Sequence, residues 1–373
     1  MKKITALILS SVMLLSAAAC SQGNGGSSSE ETTAEQTTEA PVETQTAVEG
    51  EIQEKINESF AGFNISGVCF VVRDGVPIAS YADGSFYDGT PITIDSPMAV
   101  GSVSKQFCAA AIMKLSEEGK LSVDDTLDKY FPEYREAGRI TIHQMLSMTS
   151  GVPDLPSDPE EAEALAQKIT MDNTDEQNTA AVLDYIFNAE LSFEPGTSYE
   201  YSNCNYILLG NIVEKLSGQK YIDFLRENFF APLNMTHTGS LFELKDDPEW
   251  AKGFSYEYDD LKYGIEPGLS KGAGDIVSNA DDMMLWLDGI SSGKVLSEES
   301  FKKMSTDQTG GNCYGYGLRT DMSDGAGHFG LVGRFAACDF ISADGRLRVF
   351  IATNSGGGNT LENRFYEMIG ILV

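Results

Sequence analysis

Met98-Ala99-Val100-Gly101-Ser102-Val103-Ser104-Lys105-Gln106-Phe107 is the stretch from which the rest of this chain is read. Ser102 opens a predicted helix and Lys105 follows three residues later, so both side chains lie on one face. Phe107, Ala111, Ile112 and Leu115 recur at helical spacing, and Gly119 is placed to cap the end. A serine on a first helical turn lies in the positive field of the helix N-terminus, which favours a developing negative charge. That combination suits a nucleophilic hydroxyl with an amine as its base. The spacing alone decides little, because Ser217/Lys220, Ser291/Lys294 and Ser300/Lys303 repeat it. Gly218 and Gly293 interrupt the first two, and the third lies on a polar, charged stretch. Only Ser102 heads a long segment with a continuous apolar side.

With 373 residues the chain can bury a sizeable core. The formal net charge of −30 excludes a nucleic-acid-binding surface of the usual cationic kind. It would also repel anionic headgroups, so membrane attachment has to be covalent. Lys2 and Lys3 precede an apolar run over residues 4–15, then Ser16-Ala17-Ala18-Ala19-Cys20. The run is too short to span a bilayer well. It resembles a bacterial lipoprotein signal over residues 1–19, with lipid on Cys20; plain secretion with cleavage near Ala19 is the alternative. Residues 20–47 are rich in Ser, Thr, Gly, Gln and Glu without an aromatic residue, and are expected to form a disordered tether. The folded domain is expected over residues 48–373.

The five remaining cysteines, Cys69, Cys108, Cys204, Cys313 and Cys338, are scattered, with no C-x-x-C pair, and the histidines number three. This predicts neither a disulfide framework nor a zinc site, and all five read as small buried hydrophobes. No metal or cofactor is expected.

Residues 51–63 predict an amphipathic helix. Two apolar runs, 68–72 and 78–81, flank Asp74-Gly75 and read as a hairpin. Near the other end, residues 335–342 and 347–353 flank Asp344-Gly345, and a helix over 361–371 follows. Strands and helices at both ends, with helical sequence between, predict an α/β fold: an antiparallel sheet made from both termini, flanked by helices, with an all-helical region inserted. Residues 156–178 read as a solvated insertion, and 181–189 and 206–216 as helices, the latter ended by Gly218.

Ser102 with Lys105, Tyr201-Ser202-Asn203 and His328-Phe329-Gly330 come in the order used by the serine β-lactamase and penicillin-binding protein superfamily. Leu146-Ser147-Met148-Thr149-Ser150-Gly151 and Glu194-Pro195-Gly196 fit as well. From residue 64 onward the chain is most similar to the branch of class C β-lactamases, D-aminopeptidases, DD-carboxypeptidases and related esterases. The resemblance implies an acyl-enzyme on Ser102, with Lys105 as base and Tyr201 taking or relaying the proton. It implies that Asn203 binds the substrate's amide or ester side chain. It further implies that His328 and Gly330 lie on an edge strand, with the Leu331 and Ser102 N–H groups forming an oxyanion hole. His237-Thr238-Gly239 is a second H-x-G, with no apolar strand after it.

Lys105 can act as base only when neutral, which requires burial or a neighbouring cation. Histidine where the lactamases carry lysine removes a permanent cation for a substrate carboxylate and leaves a pH-dependent one. This favours esters and D-amino-acid amides or peptides, cell-wall peptides included, over efficient β-lactam hydrolysis. Arg334 could restore a cation or stand as a surface residue. No deacylating glutamate of the class A type is present. A rival reading is a module that binds or acylates a cell-wall ligand without turnover.

Overall fold

The computed structural model describes residues 42–61, 66–86, 88–170, 172–244, 269–355 and 358–372. The predicted signal, Cys20 and most of the expected tether lie outside them.

Among the described residues, eight strands account for two sheets: β1 (Gly67–Arg73), β2 (Val76–Asp83), β3 (Met98–Ala99), β4 (Gly239–Ser240), β5 (Ile276–Ser278), β6 (Gly325–Val332), β7 (Phe335–Ser342) and β8 (Leu347–Thr353). The main sheet has the order β2-β1-β8-β7-β6. Every pairing is antiparallel, and first and last strands meet in register, Gly67 opposite Thr353 and Arg73 opposite Leu347. Asp74-Gly75 makes the first turn as expected, and Arg346 pairs with Asp74 across the two neighbouring hairpin tips.

Strand alternation sends side chains to two separate cores. Cys69 and Val71 of β1, with Val349 and Ile351 of β8, face one side. There they pack beneath the Val42–Ala61 and Gly358–Leu372 helices, around Ile56, Phe60, Phe365 and Met368. Val68, Phe350 and Ala352 face the other side, where the inserted helices build the larger core.

At the centre of that region runs the Ser104–Glu117 helix, buried almost all round, including its polar residues Ser104, Lys105 and Gln106. A helix enclosed on all faces carries polar groups only where each finds a partner. Gly119, at φ +69°, ends it as expected. Lys120 N–H donates to Leu115 O and Gly119 N–H to Ser116 O, the paired bonds of a Schellman cap. The Asn203–Ser217 helix packs against it and ends at Gly218 in the left-handed region.

Several expectations are corrected. The first helix begins at Val42, inside the stretch assigned to the tether. The supposed insertion contains the Pro159–Ala166 helix, capped by Asp158, and its Ala162 and Leu165 are buried. The next helix begins earlier, at Asp175, because Thr174 and Gln177 form a capping box. Cys313 is only half-buried, unlike the other four cysteines.

Candidate active site

Gly101–Val103 forms a single 3-10 turn that runs directly into the Ser104–Glu117 helix, so Ser102 sits just ahead of the helix rather than within it. Its N–H belongs to the first turn, where backbone donors have no partner inside the helix. Lys105 Nζ is completely buried and contacts three oxygens: Ser102 Oγ at 3.1 Å, Asn203 Oδ1 at 2.7 Å and Ala273 O at 2.6 Å. Burial pulls its pKa down to about 7, against a weaker opposing pull from Asp154. The neutral amine is therefore accessible near neutrality.

The contact set fixes which partner can donate to a neutral amine. A neutral amine has two N–H groups and one lone pair. Ala273 O is a carbonyl and can only accept. Asn203 Oδ1 is held as an acceptor because its Nδ2 donates to Asp154 Oδ2 at 3.1 Å. Only Ser102 can reverse its role, so the lone pair faces the serine hydroxyl. A hydroxyl donating to an amine of pKa about 7 is poised for deprotonation as its oxygen attacks.

Nothing in the sequence marks Asp154. It follows Thr149-Ser150-Gly151-Val152-Pro153 and accepts from the Asn203 and Leu155 backbone N–H groups at 2.8 and 2.9 Å. Burial raises its pKa, opposed by those hydrogen bonds and by Lys105. Its carboxylate sets the orientation of the Asn203 amide, which in turn holds Lys105. Asn203, expected to touch substrate, is engaged by protein groups at both ends of its amide.

Tyr201 lies beside this pair, with Lys105 Nζ 4.9 Å from its ring centroid. Desolvation pushes its phenol well above the ordinary range, against a hydrogen bond with Ser102 that lowers it. Tyr201 is thus an O–H group at working pH, suited to pass a proton rather than to start as a base.

Strand β6 closes the site from the other side. Its Gly330 has no room for a side chain: a Cβ would lie 1.9 Å from Val100 O and 2.8 Å from Ser102 N. Gly101, at φ +52°, is equally confined, since its Cβ would fall 2.6 Å from Leu331 N. The two backbones therefore touch, which brings the Ser102 and Leu331 N–H groups together. Val332 and Phe335 flank the two-residue turn to β7. Antiparallel alternation then aims the Leu331 N–H off the sheet edge, as Gly327 two pairs earlier also points outward to bond Arg319. Two convergent N–H groups beside a serine hydroxyl can hold an oxyanion.

His328 is buried on the same strand. Its Nδ1 lies 2.6 Å from Phe329 O and its Nε2 3.1 Å from the Tyr314 hydroxyl. A carbonyl can only accept, so Nδ1 carries the proton and Nε2 accepts from Tyr314. Burial, then the nearby Lys105 charge, pulls its pKa down to about 3. The pH-dependent cation expected there is therefore absent: His328 is neutral across the working range. Arg319, behind β6, is engaged with Asp321 and Glu362. Arg334 is exposed at the β6–β7 tip.

The other sequence candidates fall elsewhere. His237 is exposed, and its segment leads into β4 of the small sheet, where His237 N–H and Thr238 Oγ1 bond Asp282. Lys294 pairs with Asp288, and Lys303 with Glu299, on the surface. Among the described residues no group of three or more His, Cys, Asp or Glu side chains could hold a metal ion.

The lysine sets a pH dependence. The kcat/KM for an activated ester should rise with pH through about 7 as Lys105 loses its proton, while His328, at about 3, adds nothing in that window. A pH–rate profile flat across neutrality would remove Lys105 from the base role.

A profile of the Beta-lactamase family matches residues 52–368, which span every group described above. The putative penicillin-binding protein PbpX of Bacillus subtilis (strain 168) is 28% identical over 331 residues, covering 85% of this chain and 78% of that protein. Among solved structures, the D-amino acid amidase of Ochrobactrum anthropi SV3 complexed with L-phenylalanine aligns with a TM-score of 0.70 at 23% identity, over 87% of this chain and 98% of that one. The penicillin binding protein of Bacillus halodurans gives a TM-score of 0.69 at 23% identity, over 85% and 99%. The structures agree in fold, the family profile agrees in sequence over the whole site, and the chain therefore belongs to the beta-lactamase family, within the superfamily of serine β-lactamases and penicillin-binding proteins.

Proposed function

We propose that this protein is a serine hydrolase that forms an acyl-enzyme on Ser102 and acts on esters or D-amino-acid amides and peptides. The observation that carries the reading is the three-oxygen cradle of Lys105, in which only Ser102 can donate to a neutral amine. Ser102 Oγ attacks the carbonyl carbon as its proton passes to Lys105 Nζ. The oxygen of the tetrahedral intermediate rests on the Ser102 and Leu331 N–H groups. Tyr201 relays a proton to the departing alcohol or amine, leaving the acyl group on Ser102. Water then enters by the reverse sequence and releases the acid.

Amides and esters are favoured over β-lactams because a substrate carboxylate meets a neutral His328, while Arg319 is already paired. The amidase likeness is in keeping with this. Binding or acylation without turnover draws on the penicillin-binding names of the relatives, and the same experiment separates it. A lipid on Cys20 and an extracytoplasmic, membrane-attached location belong to the proposal too, supported by Lys2, Lys3, the apolar run and the small residues before Cys20.

The test is turnover of p-nitrophenyl esters and D-amino-acid p-nitroanilides, with intact-mass analysis after exposure to each and to a penicillin. Turnover with a transient acyl mass on the Ser102 peptide supports the reading. A persistent penicillin adduct without ester or amide turnover would replace it with the binding module.

A further inference from the structure

We propose that Asp339 is a positioning residue for the oxyanion hole, its carboxylate holding edge strand β6 at a fixed distance from the Ser102 turn. This rests on the serine-hydrolase reading above, and extends it to a residue that touches neither nucleophile nor base.

Asp339 lies on β7, directly opposite His328 in register, and is completely buried. Its Oδ1 accepts from the His328 backbone N–H at 2.9 Å. Its Oδ2 accepts from Gln106 Nε2 at 2.6 Å. Gln106 is the residue after Lys105 on the central helix, and its Oε1 accepts from Trp286 Nε1 at 2.7 Å. The carboxylate therefore ties the strand carrying Leu331 to the helix that follows Ser102.

Every direction in this chain is forced. Indole N–H can only donate, so Gln106 must turn its oxygen to Trp286. Its amide nitrogen then faces Asp339, which must accept there, and the His328 N–H requires acceptance at the other oxygen. An amide side chain at position 339 could satisfy only one of the two donors. Exchanging the two groups, with the carboxylate at position 106 and the amide at position 339, would satisfy all of them. The relocated carboxylate would accept from Trp286 Nε1 and from the relocated amide nitrogen, while the amide oxygen would accept from the His328 N–H. Total charge and shape are retained.

The test compares wild type with Asp339→Asn, Gln106→Glu and the double Gln106→Glu/Asp339→Asn. Assays are run on the alkaline side of Asp339's pKa, which burial raises to about 7, so that the carboxylate is ionised. Readouts are kcat and KM on a p-nitrophenyl ester, the rate of Ser102 labelling by an alkyl fluorophosphonate, and Tm. Each single should lose at least about tenfold in kcat with KM little changed, and the double should return to within about threefold of wild type. Should Asp339→Asn fail to fold, Gln106→Glu against the double decides; should Gln106→Glu fail, Trp286→Phe supplies the second arm. It frees the Gln106 amide to turn, so adding Asp339→Asn should then cost severalfold less than in the wild-type background.

A double variant as impaired as the singles, or singles with lower Tm but unchanged kcat, overturns the proposal. So does an Asp339→Asn penalty that is undiminished in the Trp286→Phe background. If wild type hydrolyses no ester or amide, the serine-hydrolase reading falls and labelling decides the bridge. Loss in the singles with recovery in the double supports it, and equal rates overturn it. A wild type that is neither active nor labelled overturns both.

Discussion

Replacing Lys105 with methionine is expected to lower kcat for ester hydrolysis by about 10²–10⁴-fold, the range for losing a positioned general base. Methionine nearly matches the shape of the lysine stem, and a buried amine is costly to enclose, so folding should suffer much less than catalysis. Asn203 Oδ1 and Ala273 O lose their donor, which lowers Tm without unfolding the domain. Steady-state kinetics beside a thermal melt separate the two effects. The rise of activity through neutral pH should shrink with the loss of the amine, leaving only the part that ionisation of Asp339 supplies. A variant within tenfold of wild type would mean that another group takes the Ser102 proton.

Gly330→Ala is expected to cost about 10²–10³-fold in kcat, the usual loss for one oxyanion donor. The added methyl group would meet Val100 O and Ser102 N, both backbone atoms that no rotamer change can move aside. Strand β6 must therefore withdraw from the Ser102 turn, and the Leu331 N–H one residue on withdraws with it. Ground-state binding uses that donor less than the tetrahedral intermediate does, so KM should change little. Gly370→Ala is the matched control: its Cβ meets nothing within 4 Å, and helical alanine is favoured over glycine. Equal kinetics in the two variants would show that contact between β6 and the turn is not needed for catalysis.

Much of this arrangement is legible without coordinates. Strands β7 and β8 can be bounded because each is a long apolar run beside an Asp-Gly turn, and Ser102, Lys105, Tyr201 and His328 stand in recognisable local settings. Asp154 escapes notice because an acidic residue after Pro153 reads as an ordinary turn; its partner Asn203 is distant in the chain. Asp339 is hidden for the opposite reason, as one polar residue in an otherwise apolar strand with its two partners in other elements. The small sheet β3-β5-β4 has strands too short for alternation to register. The neutrality of His328 has no local signature, since it depends on burial and on the nearby cations Lys105 and Arg319, both from other elements.

The pairing of Gly67 with Thr353 and Arg73 with Leu347 also sets a timetable for synthesis. Strand β1 leaves the ribosome long before β8, and its inner edge stays uncovered until β8 follows. Strand β6, whose backbone meets the Ser102 turn, likewise follows that turn at a long distance in sequence. Contacts so far apart in sequence form slowly and only after the intervening chain is available. A nascent chain thus carries Ser102 and Lys105 long before the proposed site around them can be assembled by β6, β7 and β8.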